Sequence, residues 1–555
     1  LSDPILLQLT AAAAVLRISG LSRMSAAAAS TVGSRLCDAF AAGVAAVDPE
    51  SLVRRSIELL SDVQDGEVLR LRIRSSAGEC RDFDVAGGVG FVAFGKAAGG
   101  MACGLPLARL GRRFLGGVVL APAPTRAERS AGLGFRLPDD SGLASRIRVF
   151  EGPRDNLPDE TVLMGSRAVS DLIDSLGPGD LLVAMVTGGG SALLAWPRLP
   201  LPDYRAATRA LSTAGFSIAE LNAVRARLDA VKAGGLALRC RARGCQLAGL
   251  VLSDVVGDPL EVIASGPTVP VAPAAAGAAL QAALETARLR GVDARLPPTA
   301  LKLLQADEAA APAPVAAPAV ANFIVGNNRT ALEAARLRLL DAGAPGTRFL
   351  AAVVMTTELA GDVSAVAERV HAWLASLLRL MLRADAADTA DTADFPSLGE
   401  GDAAKLAEAV AIWRAAGGSG GIALLAGGEP TVDTTGALNG VIGVGGRAGH
   451  LALLLAERLG RWPAETVQGR PWRPTVLTAG TDGIDGPTEA AGGLVDSDTW
   501  PRAAARLGEG RCRAALAGFD SHSLLAEAGG EPPALFQPGL TGTNVMDLVI
   551  AALHD

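Results

Sequence analysis

DLLVAMVTGGGSALLAWP, residues 180–197, is the stretch around which the rest of the chain is arranged. Residues 181–186 are an uninterrupted apolar run, the pattern of a strand buried on both faces. Thr187, three consecutive glycines (Gly188, Gly189 and Gly190) and Ser191 follow, and residues 192–194 can open a helix. Such a junction suits an anion. Without Cβ atoms, several backbone N–H groups can turn toward one phosphate or carboxylate. A helix N-terminus adds unpaired N–H groups and the positive end of its dipole. The plainer reading of the same residues is a tight turn that needs glycine.

Similar units recur on either side. Residues 25–60 read as helices. Leu69, Leu71 and Ile73 alternate with Arg70, Arg72 and Arg74, which predicts a half-buried strand turning back toward Phe83 and Val85. Residues 89–94 predict a buried strand, with Gly95 and Lys96 at its carboxyl end and a helix over 97–105. Ligands of open α/β sheets gather at the carboxyl ends of strands. A lysine there is a mobile cation for phosphate or carboxylate. In 216–237, Ile218, Leu221, Val224, Leu228 and Val231 fall at helical spacing, and Asn222, Arg225 and Lys232 lie off that stripe. Residues 249–252 predict a strand followed by Asp254 and Asp258, with Ser253 and Ser265 near. Carboxylates at a strand end beside a phosphate site are natural Mg²⁺ ligands; the same residues serve equally well as turn and cap residues. Alternating strands and helices predict a mostly parallel sheet with helices on both faces.

Residues 307–318 (DEAAAPAPVAAP) read as a linker. A second domain is expected to begin with a strand at 322–325 and the turn holding Asn327. Residues 384–394 are acidic and low in complexity, an insertion. Strands are predicted at 350–355, 422–426 and 475–479. A glycine turn leads through Arg447 into a helix, and GTDGIDGPTEAAGG carries Thr481, Asp482 and Asp485. An amphipathic helix is expected after Thr541, Gly542, Thr543 and Asn544.

At 555 residues the chain is too long for one core. Its net charge of −7, with basic residues dispersed, does not describe a nucleic-acid-binding surface. No apolar stretch reads as a membrane span. Six scattered cysteines and four histidines fit no zinc spacing and favour a reducing compartment. The Ala/Ser-rich start, with Arg17 and Arg23, has the composition of a mitochondrial targeting segment. Met24 offers an alternative start, and the cytoplasm is the expected location.

The ordered series GKAAGGMA, DNLPDE, TGGGSALL, ELNAVRARLDAVKAGGLA, LSDVVGDPLEVIASGPT, GGEPTV, GTDGIDGPTEAAG and TGTNVMDL resembles the class II glycerate kinases of the eukaryotic branch. The resemblance implies two α/β domains, the first Rossmann-like, with the active site in the cleft between them. The expected divisions are an extension at 1–24, an amino-terminal domain at 25–305, a linker at 306–318 and a MOFRL-type domain at 319–555 with an insertion at 384–400. It implies ATP-dependent phosphorylation of D-glycerate to 2-phosphoglycerate, with Mg²⁺, in a monomer or homodimer that binds neither nucleic acid nor membrane. Lys96 matches the family's active-site lysine. Gly188, Gly189, Gly190 and Ser191 match its glycine loop, and Arg447 the arginine of its GGRNQE motif.

Phosphoryl transfer is mainly positioning and charge stabilisation. Lys96 and Arg447 would neutralise the transferring group and the carboxylate of glycerate. Asp254 is the preferred base or metal ligand, with Asp258 as second ligand. Lys232 and Asn327 join the glycine loop in the nucleotide set, and Asn222, Arg225, Thr481 and Asp482 form the substrate set. One departure stands out: Arg447, Ala448, Gly449 and His450 replace Arg-Asn-Gln-Glu. If these positions only shape the helix start, little changes. If they touch ligand, activity falls, and a non-catalytic ATP- or glycerate-binding relative becomes the alternative. Hydroxypyruvate reductase is a further alternative, but no strand ends in the GxGxxG of a nicotinamide site.

Overall fold

The computed structural model describes residues 31–60, 68–136, 138–155, 157–212, 216, 218–270, 273–306, 320–385, 399–436 and 442–555. The expected extension at 1–24, nearly all of the linker and most of the acidic insertion lie outside the described residues. The chain divides into two units, one of residues 48–327, the other joining the chain up to residue 47 to residues 328–555.

The first unit opens with a small antiparallel sheet of β1 (Ile57–Leu59), β2 (Leu69–Arg74) and β3 (Cys80–Val85). Leu69, Leu71 and Ile73 are buried, while Arg70, Arg72 and Arg74 pair across the exposed face with Asp84, Asp82 and Glu58. The helix expected as far as Leu60 stops at Ser56, because Ile57 and Leu59 alternate in register with Ile73 and Leu71.

Its main sheet comprises β4 (Val89–Phe94), β5 (Phe114–Pro122), β6 (Ile147–Gly152), β7 (Leu181–Thr187), β8 (Gln246–Leu252) and β9 (Val320–Gly326). All neighbours are parallel, in the order β6-β5-β4-β7-β8-β9. This is the doubly wound order of a Rossmann-like fold. The chain first moves outward from β4, then returns to its other side at β7, so the switch point lies between β4 and β7. Every residue of β4 and β7 is buried, as their unbroken apolar runs require. Val92, Leu182, Ala184 and Val251 share a core with Val162, Val169 and Ile173 of helix Glu160–Ser175 and with Leu236 and Cys240 of helix Gly235–Arg243.

The strand predicted at 322–325 is β9, paired with β8, and not the start of the second domain. The first unit therefore ends at Asn327. Periodicity identifies a strand but not the sheet it joins, and this one returns to the first sheet after a long excursion.

The second unit's sheet contains β10 (Phe349–Leu359) and β11 (Gly421–Gly428), a side hairpin of β12 (Thr466–Val467) and β13 (Arg470–Pro471), then β14 (Arg473–Gly480), β15 (Gly492–Asp496), β16 (Leu535–Phe536) and β17 (Asp547–His554). The order in the sheet is β10-β11-β17-β14-β15-β16. Only β10 and β11 are parallel; β17 is antiparallel to both β11 and β14. The terminal amphipathic helix expected from sequence is thus a central strand. Its run 548–553 is apolar throughout and buried, so it has no polar face to offer water, and Val549 and Ile550 favour extended backbone. Helix Val32–Ala46 belongs to this unit: the buried Arg35 donates to the Leu339 carbonyl at 2.7 Å. Among the described residues no helix is long and apolar enough to cross a membrane.

Candidate active site

In the first unit, the switch point gathers the loops after β4 and β7. Gly95 follows β4 with φ +122°, and a Cβ there would stand 2.4 Å from the Thr187 carbonyl oxygen at the end of β7. The next residue, Lys96, donates its backbone N–H to the Gly188 carbonyl at 2.8 Å. The two strand ends are therefore stitched together, and only glycine fits at the stitch. Gly95→Ala is expected to destabilise the first unit by about 2–4 kcal/mol, since left-handed strain and a rigid backbone clash add. The urea midpoint checks this, and an unchanged value would mean the strand ends are not this close.

Gly189 takes φ +78°, and the Lys96 stem crosses it, with Cγ 3.2 Å from the place of a Gly189 Cβ. The Lys96 side chain makes no hydrogen bond or ion pair among the described residues, and the residue is exposed. The helix expected after the glycines is only the single turn Gly190–Leu193. The dipole argument for a helix there falls away, and the turn's own N–H groups and the Lys96 ammonium are the groups there with the chemistry to meet an anion.

Three further segments converge on this turn. A Cβ on Gly188 would lie 1.7 Å from Asp254 Oδ2, so the carboxylate rests on the glycine itself. Asp258, at φ +55°, accepts from Asn327 Nδ2 at 2.6 Å, joining the loop after β8 to the end of β9. Ser191 Oγ is 2.8 Å from Ser265 Oγ, which donates to Asn222 Oδ1 at 3.0 Å. Lys232 is buried. Its Nζ donates to the carbonyls of Ser191 at 2.7 Å and Leu194 at 2.6 Å, with Asp229 at 3.9 Å. Loss of solvent draws its pKa down to about 8. Lys232 thus clamps the one-turn helix. Its partner Asp229, which sequence reading missed, accepts from the N–H groups of Trp196 and Val231 and from the Tyr204 hydroxyl. Arg225, one turn after Asn222, also has its basicity lowered by burial.

Among the described residues no three His, Cys, Asp or Glu side chains gather as a metal cage. Magnesium bound with a nucleotide needs less, one or two carboxylates plus phosphate oxygens. Asp254 on the glycine turn fits that requirement.

In the second unit, Gly446 caps helix Arg447–Leu459. Arg447 Nε and Nη2 reach the two oxygens of Asp547 at 2.6 and 3.1 Å, and its Nη1 reaches Glu429 at 2.6 Å. Asp547 opens β17 and Glu429 follows β11, so the guanidinium sits at the ends of two adjacent strands. Burial raises the Asp547 pKa. Asp485 accepts from the N–H groups of Ala448 at 3.0 Å and Gly449 at 2.7 Å, filling the helix N-terminus with the chain's own carboxylate. Thr481 is fully buried; its hydroxyl donates to the Met546 carbonyl and accepts from Val545 N–H. Thr481 therefore shapes the loop, while Asp482 Oδ1 accepts from Ile484 N–H at 3.1 Å.

The three departing residues Ala448, Gly449 and His450 are all buried. The Ala448 carbonyl accepts from Thr478 Oγ1 at 2.6 Å, and His450 packs on Phe519 with ring centroids 4.9 Å apart. They build the helix start from the inside.

Two opposed titrations meet there. Burial pushes the Asp485 carboxyl up to about 6, against its backbone donors, and pushes the His450 imidazole down to about 4. A raised carboxyl pKa contributes stability below the unfolded value that is lost as pH rises through about 6. A depressed imidazole contributes stability above about 6.5 that is lost as pH falls toward 4. Each is worth on the order of 3 kcal/mol, and over pH 4–6.5 they oppose each other. His450→Gln should therefore shift the stability change on acidification from pH 6.5 to 4.5 in the favourable direction relative to the parent, in which His371 and His554 are also depressed by burial. Chemical denaturation at both pH values measures it, and parallel curves would remove the His450 contribution.

The comparisons with known proteins agree in order along the chain. Residues 35–305 match the family described as domain of unknown function DUF4147, and residues 422–547 match the MOFRL family. Bovine glycerate kinase is 37% identical over 522 residues, 93% of this chain and 92% of that protein. The D-glycerate 2-kinase of Thermotoga maritima is 30% identical over 414 residues, 73% of this chain and 82% of that one. A crystal structure of glycerate kinase from the same organism superimposes with a TM-score of 0.65 at 26% identity, covering 94% of this chain and 99% of that chain. With its sequence motifs, its doubly wound first unit and these relatives in accord, the chain belongs to the class II glycerate kinase family.

Proposed function

We propose that the chain transfers the γ-phosphoryl group of ATP to D-glycerate, giving 2-phosphoglycerate and ADP. The observation that carries this is the Lys96 ammonium, without a partner among the described residues and held over a glycine turn at the switch point of a doubly wound sheet. Such a site suits a phosphoryl group, whose transfer depends on positioning and charge stabilisation. The turn at Gly188, Gly189 and Gly190 would take phosphate oxygens, with Asn327 and the clamp of Lys232 keeping its walls in place. Asp254 would hold Mg²⁺, which when bound neutralises phosphate charge, with Asp258 as the nearest further carboxylate on that loop. Asn222 and Arg225 would face the acid. Arg447, fixed by Asp547 and Glu429, offers a planar fork suited to a carboxylate or phosphate.

The relationship to a D-glycerate 2-kinase supports the 2-position. Phosphorus NMR of the product made by the purified protein from ATP, Mg²⁺ and D-glycerate tests the proposal. A 2-phosphoglycerate signal is expected; ADP release without it, or no transfer, would sink it.

A further inference from the structure

Ser265 is buried beneath the glycine turn in an unusual backbone setting. Ala264, Ser265 and Gly266 take φ of +51, +62 and +59°, three left-handed residues in succession. Segments of this kind persist only where the surroundings hold them, and they cluster at functional sites. Here the segment packs on the turn: a Cβ on Gly190 would stand 2.8 Å from the Ala264 Cβ.

The consequence is a fixed chain of hydrogen bonds. A serine hydroxyl carries one proton and two acceptor lone pairs. The Ser265 proton goes to Asn222 Oδ1 at 3.0 Å. Only its lone pairs then face Ser191, so across the 2.8 Å contact Ser191 must donate. Ser191 is left with acceptor capacity alone. The far end of the chain is the opposite: Asn222 Nδ2 is buried and has no hydrogen-bond partner. Turning the amide over would reverse every bond and leave the carbonyl oxygen, in place of the amide N–H, as the enclosed group without a partner.

We propose that Asn222 and Ser265 act as positioning residues that hold the Ser191 hydroxyl hydrogen inward, so that Ser191 accepts from an alcohol hydroxyl of glycerate and not from any phosphate. This rests on the reading of the site as one for glycerate. It lets the relay read one mark of a hydroxy acid: Ser191 Oγ receives the hydroxyl. It also moves Ser191 out of the phosphate set in which the family resemblance places it.

Calorimetry on the full chain tests this with D-glycerate, with D-lactate (lacking the terminal hydroxyl) and with 3-hydroxypropionate (lacking the 2-hydroxyl). The wild type should bind at least one deoxy acid about tenfold more weakly than glycerate, the scale of one lost hydrogen bond. Ser191→Ala and Ser265→Gly should each bring that ratio close to one, and the double variant should add nothing. Glycine tolerates the left-handed backbone at 265, so this variant removes the hydroxyl without adding strain. A merely structural Ser265 would weaken all three acids alike and leave the ratio intact, which would overturn the proposal. So would a Ser191→Ala variant that loses ATP affinity and keeps the acid ratio, because the chain would then run the other way. Selective glycerate binding without phosphoryl transfer would defeat the kinase reading and leave the relay standing. Absence of glycerate binding would defeat both.

Discussion

Lys96→Ala is expected to lower kcat for glycerate phosphorylation by about 100- to 1,000-fold, the effect of removing one aimed charge from a preorganised site. Stability should barely move, by about 0.5 kcal/mol or less, because the residue is exposed and lacks a partner among the described residues. The combination is diagnostic. A lysine that merely decorates the surface would change neither quantity, and one that holds the fold would change the melting temperature first. Lys96→Arg keeps the charge but must place a bulkier head beyond a stem that already lies 3.2 Å from the Gly189 Cβ position. It should recover part of the rate at most, since guanidinium and ammonium differ in shape and hydration. Steady-state kinetics with a coupled ADP assay, beside thermal melts, gives both readings. An unchanged kcat in Lys96→Ala would remove this residue from the chemistry.

The glycine turn and Lys96 of the first unit were legible because unbroken apolar runs coincide with glycine punctuation. The runs at 89–94 and 181–186 carry no polar side chain, which a doubly covered strand explains, and glycine follows at 95 and, after Thr187, at 188. What stayed hidden is what depends on pairing. The run 548–553 has the length and composition of either a buried strand or a buried helix segment, and only its neighbours β11 and β14 decide. Residues 322–325 gave a strand but not its sheet. Residues 192–194 gave a helix start but not its extent, which is the single turn Gly190–Leu193, ending where Leu194 becomes extended. Side-chain roles were harder still. Asp485, Asp547 and Glu429 sit inside motifs that the sequence singles out, yet their work is to hold Ala448, Gly449 and Arg447 across separations of 18 to 100 residues. Lys232 shows the converse. Its spacing places it off the apolar stripe, like a residue awaiting a ligand, while its ammonium is bound to two carbonyls of the turn it was expected to accompany.

Arg447→Ala should have the largest effect on stability. Asp547 keeps only 8% of its side chain exposed, and the Arg447 fork supplies bonds to both its oxygens. Removing the arginine strands a buried carboxylate at the start of a central strand, which costs about 3–5 kcal/mol. The buried acid can escape by taking a proton. Burial already raises its pKa, and loss of the cation removes the main influence holding it down. With a folded pKa above the unfolded value, stability is present at low pH and lost as pH rises through the folded pKa. The variant should therefore fall furthest below the parent at neutral pH and approach it on acidification. Asp547→Asn added to Arg447→Ala should recover much of the loss at pH 7, because a neutral amide needs no counter-ion. Urea midpoints of the parent, single and double variants at pH 5 and pH 7 test each step. A single variant with the same deficit at both values would show that Asp547 is not the stranded group. The double variant also separates fold from chemistry. Restored stability without restored phosphoryl transfer would assign Arg447 to the reaction, whereas recovery of both would confine it to holding β17 and its own helix together.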